Sequence, residues 1–167
     1  MTVLGLVVSA IAALMFARGE LVLGGILLLL SGIFDVLDGA VARASNFTTP
    51  FGGVLDSVCD RYADALIFAG IIYGLVSGSI KSSLFGADLW LWCIFAMIGS
   101  FMVSYTRARA EAAGSGVLNV GIAERSERMI LLMIGAFTGF LGPILAFVAI
   151  ITHITLLQRI ISAKGRL

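Results

Sequence analysis

A chain of 167 residues that is 60% hydrophobic and only 13% charged, with a mean hydropathy of +1.09, carries about half the charged content of a soluble domain. That balance excludes an ordinary water-soluble protein and predicts an all-α integral membrane protein. Eleven basic against ten acidic residues leave a net charge of +1, so no basic surface argues for nucleic acid and no charge run marks a tail. The whole of 1–167 reads as one domain, and Cys59 and Cys93 both lie in apolar helical stretches, which argues against a disulfide framework.

The first apolar segment, Thr2–Ala17, has no basic region before it and no small-residue cleavage site after it, so it reads as a membrane helix and not as a cleaved signal. It has nothing ahead of Thr2 to place at the headgroups, and against roughly 20 residues per crossing it is expected to be clipped. Arg18-Gly19-Glu20 then turns the chain into Leu21–Ala44, where Gly25, Gly32 and Gly39 recur every seven residues and permit close contact with a neighbour. The turn residues from Ser45 to Pro50 lead to Phe51–Val76. Its Gly70, Gly74 and Gly78 recur every four residues and form a stripe for close helix contact. Gly78 to Asp88 connects to Leu89–Ala112, Ala113 to Ile122 to a fifth helix at Ala123–Phe140, and Gly142-Pro143 to a sixth at Pro143–Ile161. Six crossings put both termini and the 2–3 and 4–5 connections on one side. Arg43, Arg61, Arg107, Arg109, Arg125, Arg128, Arg159, Lys164 and Arg166 fall there, and Arg18 and Lys81 fall opposite. The excess predicts that this face and both termini are cytoplasmic.

Charges inside membrane helices are expensive and persist where they line a cavity, pair or bind something. Asp35 and Asp38 lie three apart near the end of helix 2, and Asp56 and Asp60 four apart near the start of helix 3, so each pair occupies one helical face. The chain reverses between them, which brings both pairs to one depth across a groove between helices 2 and 3. Carboxylates so placed repel unless cations neutralise them, and an oxygen-only donor set without His or Cys suits Mg²⁺, Mn²⁺ or Ca²⁺. Membrane aspartates also serve ion pathways or pair with arginines, here Arg43 and Arg61. His153 is the sole histidine, lies far along helix 6, and reads as a packed or interfacial residue.

The full pattern is Asp35-x-x-Asp38-Gly39-x-x-Ala42-Arg43, eight residues, then Gly52-x-x-x-Asp56-x-x-x-Asp60. It resembles the signature of the CDP-alcohol phosphotransferase family at every position. The resemblance implies a six-helix membrane fold with the active-site cavity at the cytoplasmic end, and a homodimer. It implies two Mg²⁺ ions, with Mn²⁺ as a substitute: Asp35, Asp38 and Asp56 hold one, and Asp35, Asp56 and Asp60 share the second. Asp38, Gly39, Ala42, Arg43 and Gly52 would bind the CDP donor, with the glycines at the cytidine end and Arg43 on a phosphate. Asp60 resembles the family's general base, CMP being the leaving group. The family's amphipathic segment ahead of helix 1 has no counterpart here and is expected to be absent or carried differently. Asp64, one turn beyond Asp60, is as suited to pairing with an arginine as to holding substrate.

A second cationic group suggests an anionic acceptor. Ser104-Tyr105-Thr106-Arg107-Ala108-Arg109-Ala110-Glu111 and Gly121-Ile122-Ala123-Glu124-Arg125-Ser126-Glu127-Arg128 both resemble the inositol-phosphate-using branch. The resemblance implies that Arg107, Arg125 and Arg159 hold the acceptor phosphate. Helix-end arginines also anchor at lipid headgroups, a role as fitting for Arg109 and Arg128. The leading expectation is transfer from a CDP-activated diradylglycerol to inositol 1-phosphate in the membrane. CDP-inositol as donor, glycerol 3-phosphate as acceptor, and a small divalent-cation carrier remain as alternatives.

Overall fold

Helix boundaries follow the local chemistry of the chain. The computed structural model describes residues 2–44, 49–82 and 88–167, with side chains described outside 2–3 and 38–44. Six α-helices run in order: α1 Thr2–Ala17, α2 Leu21–Ala44, α3 Pro50–Val76, α4 Leu89–Ala112, α5 Arg125–Thr138 and α6 Leu141–Lys164. The first, second and fourth match the sequence expectation. α3 starts one residue early because Thr49 caps it, its hydroxyl accepting from the Gly52 N–H at 3.0 Å, with Pro50 in the first turn where no N–H is needed.

The predicted fifth helix, Ala123–Phe140, is too long at both ends. Glu127 accepts from the Glu124 backbone N–H at 2.8 Å and fixes the start at Arg125, while Gly139 in the left-handed region (φ 76°) ends it after Thr138. α6 begins two residues before Pro143 and runs to Lys164, beyond the predicted Pro143–Ile161. A proline in the first turn interrupts no hydrogen bond.

Among the described residues, packing neighbours trace a closed ring: α2 beside α1, α1 beside α3, α3 beside α4, α4 beside α6, α6 beside α5, and α5 back beside α2. Thus α2 and α3 flank α1, which stands between them in the ring. Small residues stand at several of these contacts and let the helices approach closely. A Cβ at Gly70 would collide with the Ala13 backbone of α1, one at Gly74 would come 2.6 Å from the Phe16 carbonyl, and one at Gly25 would come 2.9 Å from the Phe137 ring of α5. Gly99 of α4 lies against Thr152 of α6 in the same way. Two of the anticipated glycine contacts are corrected. Gly78 belongs to no contact stripe, its φ of 76° instead marking the turn after α3, and Gly32 faces open space beside the cavity. Gly39 lies outside the residues whose side-chain surroundings are described.

A hydrogen bond of 2.7 Å joins the Ser9 and Ser31 hydroxyls between α1 and α2, and Cys59 and Cys93 are both free. His153 donates from Nδ1 to the Ala149 carbonyl at 2.8 Å and meets Phe95 edge-on, a packed residue as expected. Large apolar side chains such as Val7, Ile26, Phe95 and Ile150 point outward. α4 and α6 are long and apolar enough to cross a membrane. α5, with 14 residues, rises only about 21 Å against a hydrocarbon core of about 30 Å.

The ring makes a direct prediction. Gly70→Ala inserts a methyl into the Ala13 backbone and is expected to destabilise the protein by about 1–3 kcal/mol or more. Gly53→Ala, which meets nothing within 4 Å, is expected to be neutral or slightly stabilising. Thermal unfolding of both in the same detergent is the measurement.

Candidate active site

α3 places Asp56, Asp60 and Asp64 on successive turns of one face. Their environments diverge with depth. Asp64 is 1% exposed, whereas the Asp60 side chain keeps 18% of its surface open. From the other side of α1, Asp35 of α2 meets two of them: Asp35, Asp56 and Asp60 each offer a carboxylate oxygen, all within 4.8 Å of one another. At such spacing each like-charged pair repels by roughly 3–4 kcal/mol for an effective dielectric constant near 20. The cluster therefore requires positive charge.

Arg125, the first residue of α5, supplies part of it. Its Nη1 contacts Asp35 and lies 2.9 Å from Asp60 Oδ1, while its Nε donates to Asp64 Oδ1 at 3.0 Å. One guanidinium thus ties α2, α3 and α5 together. Arg128, one turn on, is 1% exposed; it donates to Asp64 Oδ2 at 3.2 Å and to the Ala123 carbonyl at 2.7 Å. A headgroup role for Arg128 is thereby corrected: it faces the interior because Asp64 awaits it there. Asp64 in turn is a structural partner of two arginines. Arg109 is exposed, as a headgroup anchor would be. Arg61 reaches Asp60 at 3.2 Å.

The three arginines expected around an acceptor phosphate divide into two groups. Arg125 engages the aspartates. Arg107 and Arg159 converge instead on Glu124, with Arg107 Nη1 at 3.8 Å and Arg159 Nη2 at 3.6 Å from the same oxygen, Oε1. Arg159 is 2% exposed and fixed by backbone carbonyls, its Nε donating to Val120 at 2.9 Å and its Nη1 to Val103 at 2.8 Å. Arg107 donates from Nε to Glu111 at 3.0 Å. The connection carrying Val120 and Glu124 lies tight on α6: Gly121, at φ 106°, has no room for a Cβ beside Thr155. Sequence reasoning gave Glu124 and Glu111 no role. The Glu124-x-x-Glu127 capping pattern was the available signal for Glu124, since it fixes where α5 starts.

Gly52 sits exposed at the first turn of α3, its N–H taken by Thr49. Asp38, Gly39, Ala42 and Arg43 fall in the last turns of α2, outside the residues whose side chains are described. A cavity of about 830 Å³ opens where α2, α4 and α6 finish and α3 and α5 start, lined by Asp35, Asp60, Asp64, Arg107, Glu124, Arg125 and Arg159 among others. All six helices contribute to its wall. The oxygen-only donors of Asp35, Asp56 and Asp60, close-set beside this open space, fit a hard divalent cation such as Mg²⁺ or Mn²⁺. Arg125 Nη1 and such a cation would compete for the carboxylates of Asp35 and Asp60.

Residues 1–160 match the family model described as CDP-alcohol phosphatidyltransferase. The chain belongs to that family. It is therefore a CDP-alcohol phosphotransferase. Among its relatives is an archaetidylinositol phosphate synthase of Pyrococcus horikoshii, 41% identical over 167 residues, with 100% of this chain and 83% of the relative covered. The phosphatidylinositol phosphate synthase of Mycobacterium tuberculosis with CDP-DAG bound superposes with a TM-score of 0.86 at 31% identity, covering 97% of this chain and 83% of that one. The same enzyme in complex with manganese and citrate gives a TM-score of 0.85 at 31% identity, over 98% and 80% of the two chains. A membrane-associated family and two helices long and apolar enough to span a bilayer support membrane association.

Asp64 lends itself to a stability test. Asp64→Asn leaves the buried Arg128 guanidinium without its anion and takes one of three carboxylates from Arg125, and is expected to cost about 3–5 kcal/mol. Asp60→Asn, at a more open position with like charges beside it, is expected to change stability far less. Unfolding of the purified variants in detergent distinguishes the two aspartates.

Proposed function

We propose that the chain transfers a phosphatidyl-type group from a CDP-activated diradylglycerol to inositol 1-phosphate, releasing CMP. The observation that carries this reading is the meeting, in one cavity, of a three-carboxylate cluster with a separate pair of arginines. The first suits the metal-dependent handling of a pyrophosphate, and the second an acceptor that is itself a phosphate. A lipid donor is favoured over CDP-inositol by the apolar side of the same cavity, where Leu29, Ile33 and Val36 of α2 and Ile130 of α5 line it and remain exposed. The likeness to a synthase solved with CDP-DAG supports the same choice.

In this reading Asp35, Asp38 and Asp56 hold one Mg²⁺, and Asp35, Asp56 and Asp60 share a second. When bound, the metal pair supplies positive charge to the pyrophosphate oxygens and to the departing phosphate. Asp38, Gly39, Ala42, Arg43 and Gly52 receive the CDP portion, Arg43 clamping a phosphate as a fork-shaped donor. Arg107 and Arg159 orient the acceptor through its phosphate. Arg125, drawn off Asp35 and Asp60 by competition, can turn towards that phosphate while its Nε keeps Asp64. Asp60 takes the proton of an inositol hydroxyl as that oxygen attacks the β-phosphorus of the donor; the new P–O bond forms as the pyrophosphate P–O bond breaks, and CMP leaves. Both termini and the cavity face the cytoplasm in this proposal, since nine of the eleven cations gather at that end. The chain crosses six times and works as a homodimer. Its short α5 spans with the help of flanking residues and local thinning of the bilayer.

The deciding experiment incubates the purified protein with Mg²⁺, inositol 1-phosphate and either CDP-lipid or CDP-inositol, and follows CMP. Release is expected with the CDP-lipid only, and is expected to vanish in excess chelator and in Asp35→Asn or Asp56→Asn. Full activity under chelation would rule out metal dependence, and cation flux without CMP would indicate a carrier. Asp60→Asn is expected to keep most of its donor affinity while kcat falls roughly a hundredfold or more. A raised donor KM at unchanged kcat would make Asp60 a binding residue instead.

A further inference from the structure

Glu124 stands where an acceptor phosphate would stand. Its Oε1 lies between Arg107 Nη1 at 3.8 Å and Arg159 Nη2 at 3.6 Å. The remaining nitrogens of Arg159 are committed to the Val120 and Val103 carbonyls, and Nε of Arg107 is committed to Glu111. Nη2 of Arg107 donates to Asn119 Oδ1 at 3.5 Å, so Arg107 Nη1 and Arg159 Nη2 are the nitrogens left to face Glu124. Both separations exceed hydrogen-bond length, and the Glu124 side chain is 47% exposed. The carboxylate neutralises the two guanidiniums loosely, through charge and not through fitted hydrogen bonds. Nearby, Arg125 supplies a positive charge to Asp35 and Asp60, so adjacent residues at the start of α5 present opposite charges to two neighbouring subsites.

We infer that Glu124 is a specificity-determining residue: a tethered anion that holds the acceptor-phosphate subsite and yields it to a phosphomonoester but not to a singly charged phosphodiester. The proposal rests on the phosphate-acceptor reading above. Replacing a carboxylate by another monoanion brings no gain in charge between Arg107 and Arg159. A phosphomonoester brings about −1.5 to −2 near neutral pH and also offers three acceptor oxygens. The distinction matters at a membrane surface, where the phosphodiesters of lipid headgroups are the most abundant phosphates within reach. Glu124 would keep them out of a site built from arginines.

The test measures binding of inorganic phosphate and of dimethyl phosphate, a singly charged diester, to the detergent-purified protein by calorimetry. Wild type is compared with Glu124→Gln and Glu124→Ala, and with Glu127→Gln as a control that weakens the α5 cap without touching either arginine. Both neutral Glu124 variants are expected to bind dimethyl phosphate at least tenfold more tightly than wild type does. Their preference for inorganic phosphate over the diester should shrink, while Glu127→Gln keeps the wild-type preference. In turnover, added anionic phospholipid should compete with inositol 1-phosphate in the Glu124 variants and not in wild type. Diester affinities within twofold of wild type, or weaker, in both variants would overturn the proposal and leave Glu124 as a residue that merely orients Arg107 and Arg159. If wild type releases CMP with inositol 1-phosphate and the variants bind no diester, the inference alone has failed. If the variants gain diester affinity but no phosphorylated acceptor supports CMP release, the acceptor reading has failed, and of the inference only the exclusion of diesters by Glu124 stands.

Discussion

The guanidinium of Arg125 is the junction on which the cavity depends. It draws Asp35 from α2, Asp60 and Asp64 from α3, and its own helix α5 to one point. α2 and α3 are otherwise separated by α1 in the ring, so their carboxylates would repel across open space without a cation between them. The position of Arg125 is set in turn by the start of α5, where Glu127 takes the Glu124 N–H. A local capping interaction thereby fixes the register of a contact spanning 90 residues of sequence.

The ring around that junction is held in a different way. Gly70 against Ala13, Gly25 against Phe137 and Gly99 against Thr152 let backbones and side chains approach more closely than larger residues would allow. Polar ties are few and short, such as the Ser9–Ser31 pair. The result is a rigid frame with apolar side chains outside and charge gathered at one end. Asp64 and Arg128, buried there as a pair, seal the inner side of the site, while Asp60 and Asp35 stay open to the cavity.

Much of this was legible because it is periodic. Asp56 and Asp60 at a four-residue interval had to share a face, and the reversal between helices 2 and 3 had to bring Asp35 to their level. Gly70 and Gly74 likewise declared a close contact, although their partner, α1, could not be read from α3 alone. Other features depend on rotation about a helix axis, which spacing of single residues does not determine. Arg128 is charged and near a helix start, features it shares with any headgroup anchor; only its facing Asp64 makes it a buried partner. Gly32 follows the interval of Gly25 and yet meets nothing: seven residues drift by about 20° around a straight helix, and Gly32 borders the cavity. The early stop of α5 at Gly139 was hidden by continuous apolar sequence on both sides.

Arg159 illustrates how closely folding and recognition are joined at this end of the ring. Two of its nitrogens close the backbone of α4 and of the α4–α5 connection onto α6, through the Val103 and Val120 carbonyls. The third lies 3.6 Å from Glu124 Oε1. The side chain is thus oriented by the main chain before any ligand arrives, and little rotamer freedom is left to lose on binding. A lysine could keep the charge but, lacking the planar fork, could not satisfy both carbonyls in that direction and still present a donor to the cavity. Inactivity of an Arg159 variant would consequently leave the identity of the substrate open, because the same side chain is a clasp of the scaffold.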